Sequence, residues 1–281
     1  MKKVIIIGSG PAGVSAALYT VRGGVDTTII SNGVGSLGKA HEIQNYYGVS
    51  GSVSGMDLAS TGISQAKALG VKFIEDEVVG LTYEESLVVE TASNRYTTDY
   101  VVIATGTSRN VPASLNVSDY EGKGVSYCAI CDAFFYRNKN VAVLGNGEFA
   151  LHEIKDLLPV ASSVTLLTNG DELKTEMPYG VKVDTRKIKS FEGDARLEKV
   201  TFVDDDSIDV SGLFIALGTA GATALAKKIG AVIGDNGIVV DENKETSVPG
   251  VYAVGDCISG LKQVAKAVYD GAVAGHHIVG R

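Results

Sequence analysis

Two cysteines that stand two residues apart and precede an acid form the most reactive segment of the sequence, Cys128-Ala129-Ile130-Cys131-Asp132. Two intervening residues suit a small redox disulfide, and a position at a helix start lowers one thiol pKa and raises its thiolate fraction. The Asp132 carboxyl group lies beside the second cysteine, where it can move a proton. The pattern predicts disulfide exchange, and the alternative is a pair of ordinary buried cysteines.

The remaining cysteine, Cys257, has no partner in the sequence and is predicted to be a small core residue. Three cysteines do not match the disulfide framework of a small secreted protein. One C-x-x-C and four scattered histidines do not supply the four ligands of a structural zinc site. We therefore predict no metal site and a cytoplasmic protein.

A glycine-rich loop near the N-terminus predicts a dinucleotide site. It follows the apolar run Val4–Ile7 and opens a helix rich in alanine and leucine. In such loops the glycines permit the turn, the approach of a pyrophosphate and close helix packing, and the helix N-terminus favours negative charge. One departure is Ser31, which closes the second strand where an acid usually holds the ribose. The loop residues are Gly8, Ser9, Gly10, Pro11, Ala12 and Gly13.

The same strand, loop and helix pattern recurs 137 residues later, where Gly145 and Gly147 correspond to Gly8 and Gly10. Each copy has the length of a βαβ unit. The sequence therefore predicts an α/β protein with two Rossmann-like nucleotide domains, the second inserted into the first. Residues 1–108 and 235–281 are assigned to an FAD-binding domain, and residues 109–234 to an NAD(P)-binding-like domain that carries the C-x-x-C.

Two further strand ends add to the predicted cofactor site. Each is a weak signal alone, because a simple turn after a strand has the same composition. Together with the first loop they match the three-part FAD site of two-dinucleotide flavoproteins, in which Asp256 faces the ribityl or phosphate region. These segments are Ala104-Thr105-Gly106 and Gly255-Asp256.

Nearly the whole chain resembles the low-molecular-weight thioredoxin reductase family. The matching segments are GSGPAG (8–13), EIQNYYG (42–48), ATG (104–106), SYCAICDAFFYRNKNVAVLG (126–145), SVPGVYAVGDC (247–257) and KQVAKAVYDGAVAG (262–275). The run CAICDAFFYRNK is highly specific to that family. The resemblance implies a homodimeric FAD enzyme that acts on a thioredoxin-like protein and whose inserted domain rotates between two states.

The resemblance also implies roles for individual residues. Cys131 exchanges electrons with the flavin, Cys128 attacks the disulfide of the partner protein, and Asp132 serves the dithiol as acid and base. The residues expected near the isoalloxazine are Asn45, Lys262, Gln263 and Val264.

The second domain departs from the family where NADPH-using members carry arginines that pair with the 2′-phosphate. Residues 166–172 contain no arginine and end in Asp171 and Glu172, and Glu148 stands at the predicted helix start. NAD(P)H is therefore a doubtful donor, and the sequence favours the pyridine-nucleotide-independent branch, which ferredoxin reduces. An NADH site with Asp171 or Glu172 on the ribose remains an alternative.

Other functions remain open at this point. They are an NAD(P)H-dependent thioredoxin reductase, a dithiol oxidase that passes electrons to oxygen, and a non-catalytic flavin-binding protein, against which the intact C-x-x-C-Asp argues. The formal charge of −8, without a long basic run, argues against nucleic-acid binding. No apolar stretch approaches the roughly 20 residues that span a bilayer.

Overall fold

The computed structural model describes residues 1–106, 115–218 and 220–281. The chain divides into two compact units, one formed by Met1–Ser108 with Gly221–Arg281, the other by Arg109–Ala220. The first predicted boundary, between residues 108 and 109, lies outside the described residues. None of the helices in the described part of the chain has the length and apolarity needed to cross a membrane.

The first unit is built on a parallel five-stranded sheet whose order is β18-β7-β1-β2-β3. Its strands are β1 (Lys3–Ile7), β2 (Asp26–Ser31), β3 (Lys72–Glu75), β7 (Tyr100–Ile103) and β18 (Val251–Ala253). Its helices are α1 (Pro11–Arg22), α2 (Gly55–Ala68) and α6 (Val264–Gly280). The central strands are almost continuously apolar and buried, as expected for a parallel sheet covered on both faces.

Smaller elements complete this unit: the antiparallel strands β4 (Val78–Tyr83), β5 (Leu87–Thr91) and β6 (Arg95–Thr98), helix α5 (Ala222–Lys228), and the pair β16 (Ile233–Gly234) and β17 (Gly237–Ile238). The sequence placed the second domain boundary after residue 234. Residues 221–234 belong instead to the first unit, because α5 packs against β4, β7 and β17.

Helices α1 and α6 pack on each other and on the sheet of the first unit. The Ser15 hydroxyl donates a hydrogen bond of 2.7 Å to the carbonyl of Val268. Small buried residues such as Ala16 and Ala274 allow this close approach. The contact ties the helix that follows the first glycine loop to the helix that follows the last strand.

The second unit repeats the design with a parallel sheet of order β11-β10-β9-β15-β8. Its elements are β8 (Val125–Ser126), α3 (Ala129–Asp132), β9 (Asn140–Gly145), α4 (Glu148–Leu157), β10 (Ser163–Leu167), β11 (Lys182–Asp184) and β15 (Gly212–Ala216), with an antiparallel layer of β12 (Ile188–Glu192), β13 (Lys199–Phe202) and β14 (Ser207–Asp209). The starts of β9 and α4, Asn140 and Glu148, lie 137 residues after those of β1 and α1, Lys3 and Pro11, as the repeat predicted.

Each sheet has an edge strand at the corresponding position, but the two edge strands come from different points in the chain order. In the first unit, β18 enters from the C-terminal part of the chain and pairs with β7. In the second, β8 comes before all the other strands of its sheet and pairs with β15. The segment after β8 therefore corresponds to the segment after β18, at the carboxyl ends of the strands where open α/β sheets bind ligands.

Candidate active site

The Cys128–Cys131 pair lies directly after β8 and is disulfide-bonded, with the two Cα atoms 5.4 Å apart. Cys128 is the N-cap residue of α3, which confirms the predicted helix start. Cys128 is only 1% exposed, whereas Cys131 is exposed. The two cysteine residues thus differ in solvent exposure.

A short hydrogen-bonded arrangement around Ser126 fixes the redox turn. The backbone N–H of Cys128 donates to the Ser126 hydroxyl over 3.1 Å, and that hydroxyl donates to the Asp132 carboxylate over 2.6 Å. The backbone N–H of Asp132 donates to the carbonyl of Cys128 over 3.2 Å. Sequence reasoning selected Asp132 but missed Ser126, because a serine two residues before a cysteine has no distinctive pattern.

A second residue that sequence reasoning missed is Glu153, on α4. Its side chain is buried, and one carboxylate oxygen accepts a hydrogen bond of 2.5 Å from the backbone N–H of Ala129. Ala129 stands between the two cysteines in the first turn of α3. No sequence signal joins the two, since they are 24 residues apart and on different helices.

The first glycine loop connects β1 to α1 at the carboxyl edge of its sheet. Gly8 has a positive φ of 108°, and its N–H donates to the carbonyl of Ile30. A side chain on Gly13 would place its Cβ 2.1 Å from the carbonyl oxygen of Gly8, so the helix requires glycine there. A Cβ on Gly10 would meet nothing within 4 Å, which leaves the N-terminus of α1 open.

The neighbouring loop residues hold this shape. The buried Ser9 hydroxyl donates to the carbonyl of Gly33 over 3.0 Å, Pro11 begins α1, and Ala12 is buried. Ser31 ends β2, and its partner in the sheet register is Glu75, the exposed last residue of β3. Sequence reasoning noted the missing acid at Ser31 and did not select Glu75.

The other two predicted cofactor segments lie at the ends of the strands next to β1. Ala104, Thr105 and Gly106 follow β7, while Gly255 and Asp256 follow β18. Since all these strands run parallel, the structure brings the segments to the same sheet edge as the first loop. Gly106 and Gly255 both have positive φ, near 72° and 73°, as tight turns require.

A buried ion pair fixes the turn at Gly255. The Asp270 carboxylate accepts from the N–H of Gly255 over 3.2 Å and pairs with the Lys266 ammonium over 2.8 Å. Lys266 in turn donates to the Gly255 carbonyl over 2.7 Å. Sequence reasoning selected neither residue, although their spacing of four residues on one helix is a readable signal.

The residues expected near the isoalloxazine also come together at the start of α6. The Asn45 amide donates to the Gln263 side-chain oxygen over 3.0 Å, although the two are 218 residues apart. Gln263 is the N-cap of α6, whose first residue is Val264. The Lys262 ammonium donates to the carbonyls of Asp256 and Ile258, each over 2.7 Å.

Cys257 is a buried free cysteine in the first unit, as the sequence predicted. Its thiol lies 3.6 Å from the carbonyl oxygen of Gly106. Burial raises the pKa of this thiol to about 11. The group therefore stays protonated at neutral pH and is a poor nucleophile.

The second glycine loop is bordered by acids. Glu148 is the first residue of α4, at the helix end that favours bound anions. The Asn146 amide donates to the carbonyl of Glu172 over 2.9 Å, and the N–H of Lys174 donates to the Asn146 carbonyl over 2.8 Å. These contacts hold the backbone of residues 172–174 beside the loop.

An arginine that follows the edge strand of this sheet pairs with several carboxylates. Arg186 follows β11, and its guanidinium pairs with Asp184 and Asp206 over 2.7 Å each, and with Asp204 over 3.4 Å. It also stacks on the Phe202 ring at 3.9 Å. The guanidinium is therefore committed to carboxylates of its own unit.

Comparisons with known proteins identify the class. A sequence profile of the family described as "Pyridine nucleotide-disulphide oxidoreductase" matches residues 2–271. The thioredoxin reductase of Listeria innocua is 32% identical over 293 residues, covering 98% of this chain and 92% of the relative. The chain therefore belongs to the pyridine nucleotide-disulphide oxidoreductase family, as a flavoprotein disulfide oxidoreductase of the thioredoxin reductase type.

Solved structures agree with this placement. The atypical thioredoxin reductase TRi from Desulfovibrio vulgaris Hildenborough aligns with a TM-score of 0.92 and 35% identity, covering 100% of this chain and 97% of that one. The ferredoxin-flavin thioredoxin reductase from Clostridium acetobutylicum aligns with a TM-score of 0.72 and 27% identity, covering 100% and 98%. The predicted family and the fold of two Rossmann-type domains are confirmed.

Proposed function

We propose that this chain is an FAD-dependent thioredoxin-disulfide reductase that takes its electrons from ferredoxin rather than from NADPH. The observation that carries the choice of donor is the contrast between the two glycine loops. Both loops have open space at their second glycine, but the first has no acid in the first turn of its helix. The second has Glu148 in that turn and the acids of residues 171–172 fastened beside it.

The first unit fits FAD. The open face at Gly10 leaves room for a diphosphate at the N-terminus of α1, and the turns at Gly106 and Gly255 lie at the same sheet edge. In this proposal the first loop and residues 104–106 hold the nucleotide half. Asp256 faces the ribityl chain, and residue 45 with residues 262–264 borders the ring.

FAD, when bound, would supply the two electrons needed to reduce the disulfide of the second unit. Cys131, the exposed cysteine, is assigned to electron exchange with the flavin. Cys128 attacks one sulfur of the thioredoxin disulfide, and Cys131 then resolves the mixed disulfide, releasing reduced thioredoxin and restoring the Cys128–Cys131 bond. Asp132, held by Ser126, supplies and accepts the proton that the dithiol exchanges.

Electrostatics disfavour a phosphorylated nicotinamide donor. A carboxylate a few ångströms from a diphosphate costs on the order of 1–4 kcal/mol, depending on the dielectric. The 2′-phosphate of NADPH adds charge beside Asp171 and Glu172, and Arg186 is committed elsewhere. The similarity to a protein described as a ferredoxin-flavin thioredoxin reductase supports the choice of ferredoxin as the donor.

The decisive experiment is an anaerobic titration of the purified yellow protein with NADPH, NADH and reduced ferredoxin in parallel, followed by flavin absorbance. We expect ferredoxin to bleach the flavin and micromolar NADPH to leave it oxidised. Rapid bleaching by NADPH or NADH would establish the alternative, a nicotinamide-dependent thioredoxin reductase. Protein that is colourless and takes up no added FAD would refute the proposal entirely.

The cysteine pair is tested separately with Cys128→Ser. We expect thioredoxin reduction to fall by roughly a thousandfold or more, because the attacking sulfur is removed, while FAD stays bound. Unchanged turnover would favour a non-catalytic flavin-binding protein. Peroxide release from wild-type protein given small dithiols in air would identify a dithiol oxidase. The homodimer, the rotation of the second domain and the cytoplasmic location stay predictions.

A further inference from the structure

A buried carboxylate contacts the turn that carries the redox disulfide. Glu153 is 1% exposed, and its oxygen lies 2.5 Å from the backbone nitrogen of Ala129. That nitrogen belongs to the peptide group that begins at Cys128. Because the side chain of Cys128 makes no capping hydrogen bond, Glu153 satisfies a first-turn donor of α3 from a neighbouring helix.

The position of this carboxylate opposes the usual effect of a helix start on a cysteine. Free N–H groups at a helix N-terminus stabilise a thiolate and so stabilise the reduced form of a disulfide. Glu153 accepts a hydrogen bond from one of those N–H groups, and its ionised carboxylate would add negative charge in a water-poor environment. Both effects disfavour a thiolate, and for a reduced pair that carries a thiolate at neutral pH this lowers the reduction potential of the disulfide.

Other charged groups face the same place. Asp132 lies on α3 and accepts from Ser126. His152 and Asp156 lie beside Glu153 on α4, and ligating atoms of these three residues lie within 4.8 Å of one another. Of these residues, Glu153 accepts a hydrogen bond from the backbone between the two cysteines.

We infer that Glu153 is a positioning residue whose carboxylate holds the first turn of α3 and makes the Cys128–Cys131 dithiol a stronger reductant. This inference rests on the proposed role of the pair as the redox disulfide. In this inference, α4, the helix that follows the second glycine loop, also adjusts the reduction potential of the disulfide.

The test compares the FAD-loaded wild type with Glu153→Gln, Glu153→Ala and Glu198→Gln. Each protein is equilibrated anaerobically with mixtures of reduced and oxidised dithiothreitol at pH 7. One dithiothreitol is oxidised to its cyclic disulfide for each enzyme disulfide that becomes two thiols. The thiols are then alkylated, and mass spectrometry of the peptide containing both cysteines gives the equilibrium constant.

Glu153→Gln keeps an acceptor for the Ala129 N–H but removes the charge. We expect it to shift the equilibrium toward the dithiol by about tenfold, which is about 30 mV for a two-electron couple. Glu198→Gln neutralises an exposed glutamate of the same unit and should change nothing. An equilibrium constant for Glu153→Gln equal to that of the wild type would overturn the inference, whatever Glu153→Ala does.

Hydrogen exchange on the wild type provides a second check that needs no variant. The Ala129 amide, in the first turn of α3, should be protected because Glu153 accepts from it. Exchange at the rate of a solvent-exposed amide would contradict the inference even if Glu153→Gln does not fold. Neither readout needs ferredoxin or thioredoxin, so a wrong donor in the proposed function would leave both results interpretable.

Discussion

The two glycine loops share one backbone framework and differ in the charged residues at the start of the helix that follows each loop. Ser9 in the first and Asn146 in the second stand at equivalent positions, and each side chain donates to a carbonyl after the next strand of its sheet, at Gly33 or Glu172. The position after each loop differs more: Pro11 begins one helix and Glu148 the other. The two βαβ units thus keep one backbone framework while the charge at the start of the helix differs.

The segments that follow the corresponding edge strands, β18 and β8, differ in the chemistry that they carry. In the first unit, that edge carries the Gly255-Asp256 turn, fixed by Asp270. In the second, the same edge carries the disulfide, fixed through Ser126 and Glu153. The second unit therefore carries its disulfide at the strand end that corresponds to the Gly255-Asp256 turn of the first.

The most direct test of the difference between the two loops places the same acid at equivalent positions in each. Gly10 and Gly147 both have negative φ and open space for a Cβ, so aspartate fits at each without strain. We expect Gly10→Asp to weaken FAD binding by roughly ten- to a thousandfold, because a carboxylate then faces the diphosphate. Gly147→Asp should leave FAD affinity unchanged.

Fluorescence titration of the FAD-free proteins measures both dissociation constants, and circular dichroism verifies that each variant is folded. Equal losses of FAD affinity in the two variants would mean that FAD binding does not depend on the first loop alone. Retention of wild-type affinity in Gly10→Asp would place the diphosphate elsewhere.

A smaller effect is expected from the two side chains that fasten the loops. Ser9→Ala and Asn146→Ala each remove one hydrogen bond to a backbone carbonyl, which typically costs about 1 kcal/mol of unfolding free energy. We expect the urea midpoint of both variants to fall by a similar amount. FAD affinity should fall in Ser9→Ala alone, and a fall in Asn146→Ala would contradict the assignment of the second loop.

The repeat was readable from the sequence because it depends on local spacing. Gly8 and Gly145 are followed by helices that begin at the predicted residues, and the predicted buried strands are present. The cysteine pair and Asp132 were readable because their types and spacing are distinctive. The family resemblance selected Asn45 and Gln263, which the structure places within hydrogen-bonding distance.

The features of the fold and the site that the sequence did not reveal depend on contacts between segments distant in the chain. Strand β8 has only two residues, and nothing local shows that it completes the second sheet beside β15. The contact of Glu153 with Ala129 depends on how α4 packs against α3. The boundary after residue 220 likewise depends on where α5 packs, which composition does not specify.

The smallest predicted effect compares ion pairs at equivalent edge strands of the two sheets. On β3, Lys72 makes a single 2.7 Å pair with Asp26 and is 64% exposed, so Lys72→Met should cost at most about 0.5 kcal/mol. After β11, Arg186 joins several carboxylates and stacks on Phe202, so Arg186→Met should cost more than Lys72→Met. Urea unfolding at pH 7 measures both, and equal costs would show that the network adds nothing.

The pH dependence of the unfolding free energy tests the ion pair between Arg186 and Asp184 further. The hydrogen bond from Arg186 lowers the pKa of Asp184 from its ordinary value of 3.8. A lowered folded-state pKa stabilises the protein above the ordinary value, and this contribution is lost as the pH falls through the folded-state pKa. We therefore expect Asp184→Asn to be less stable than the wild type at pH 6 and to lose less stability on acidification below about pH 4. Parallel stability profiles for the two proteins would mean that this carboxylate is not held ionised by the guanidinium.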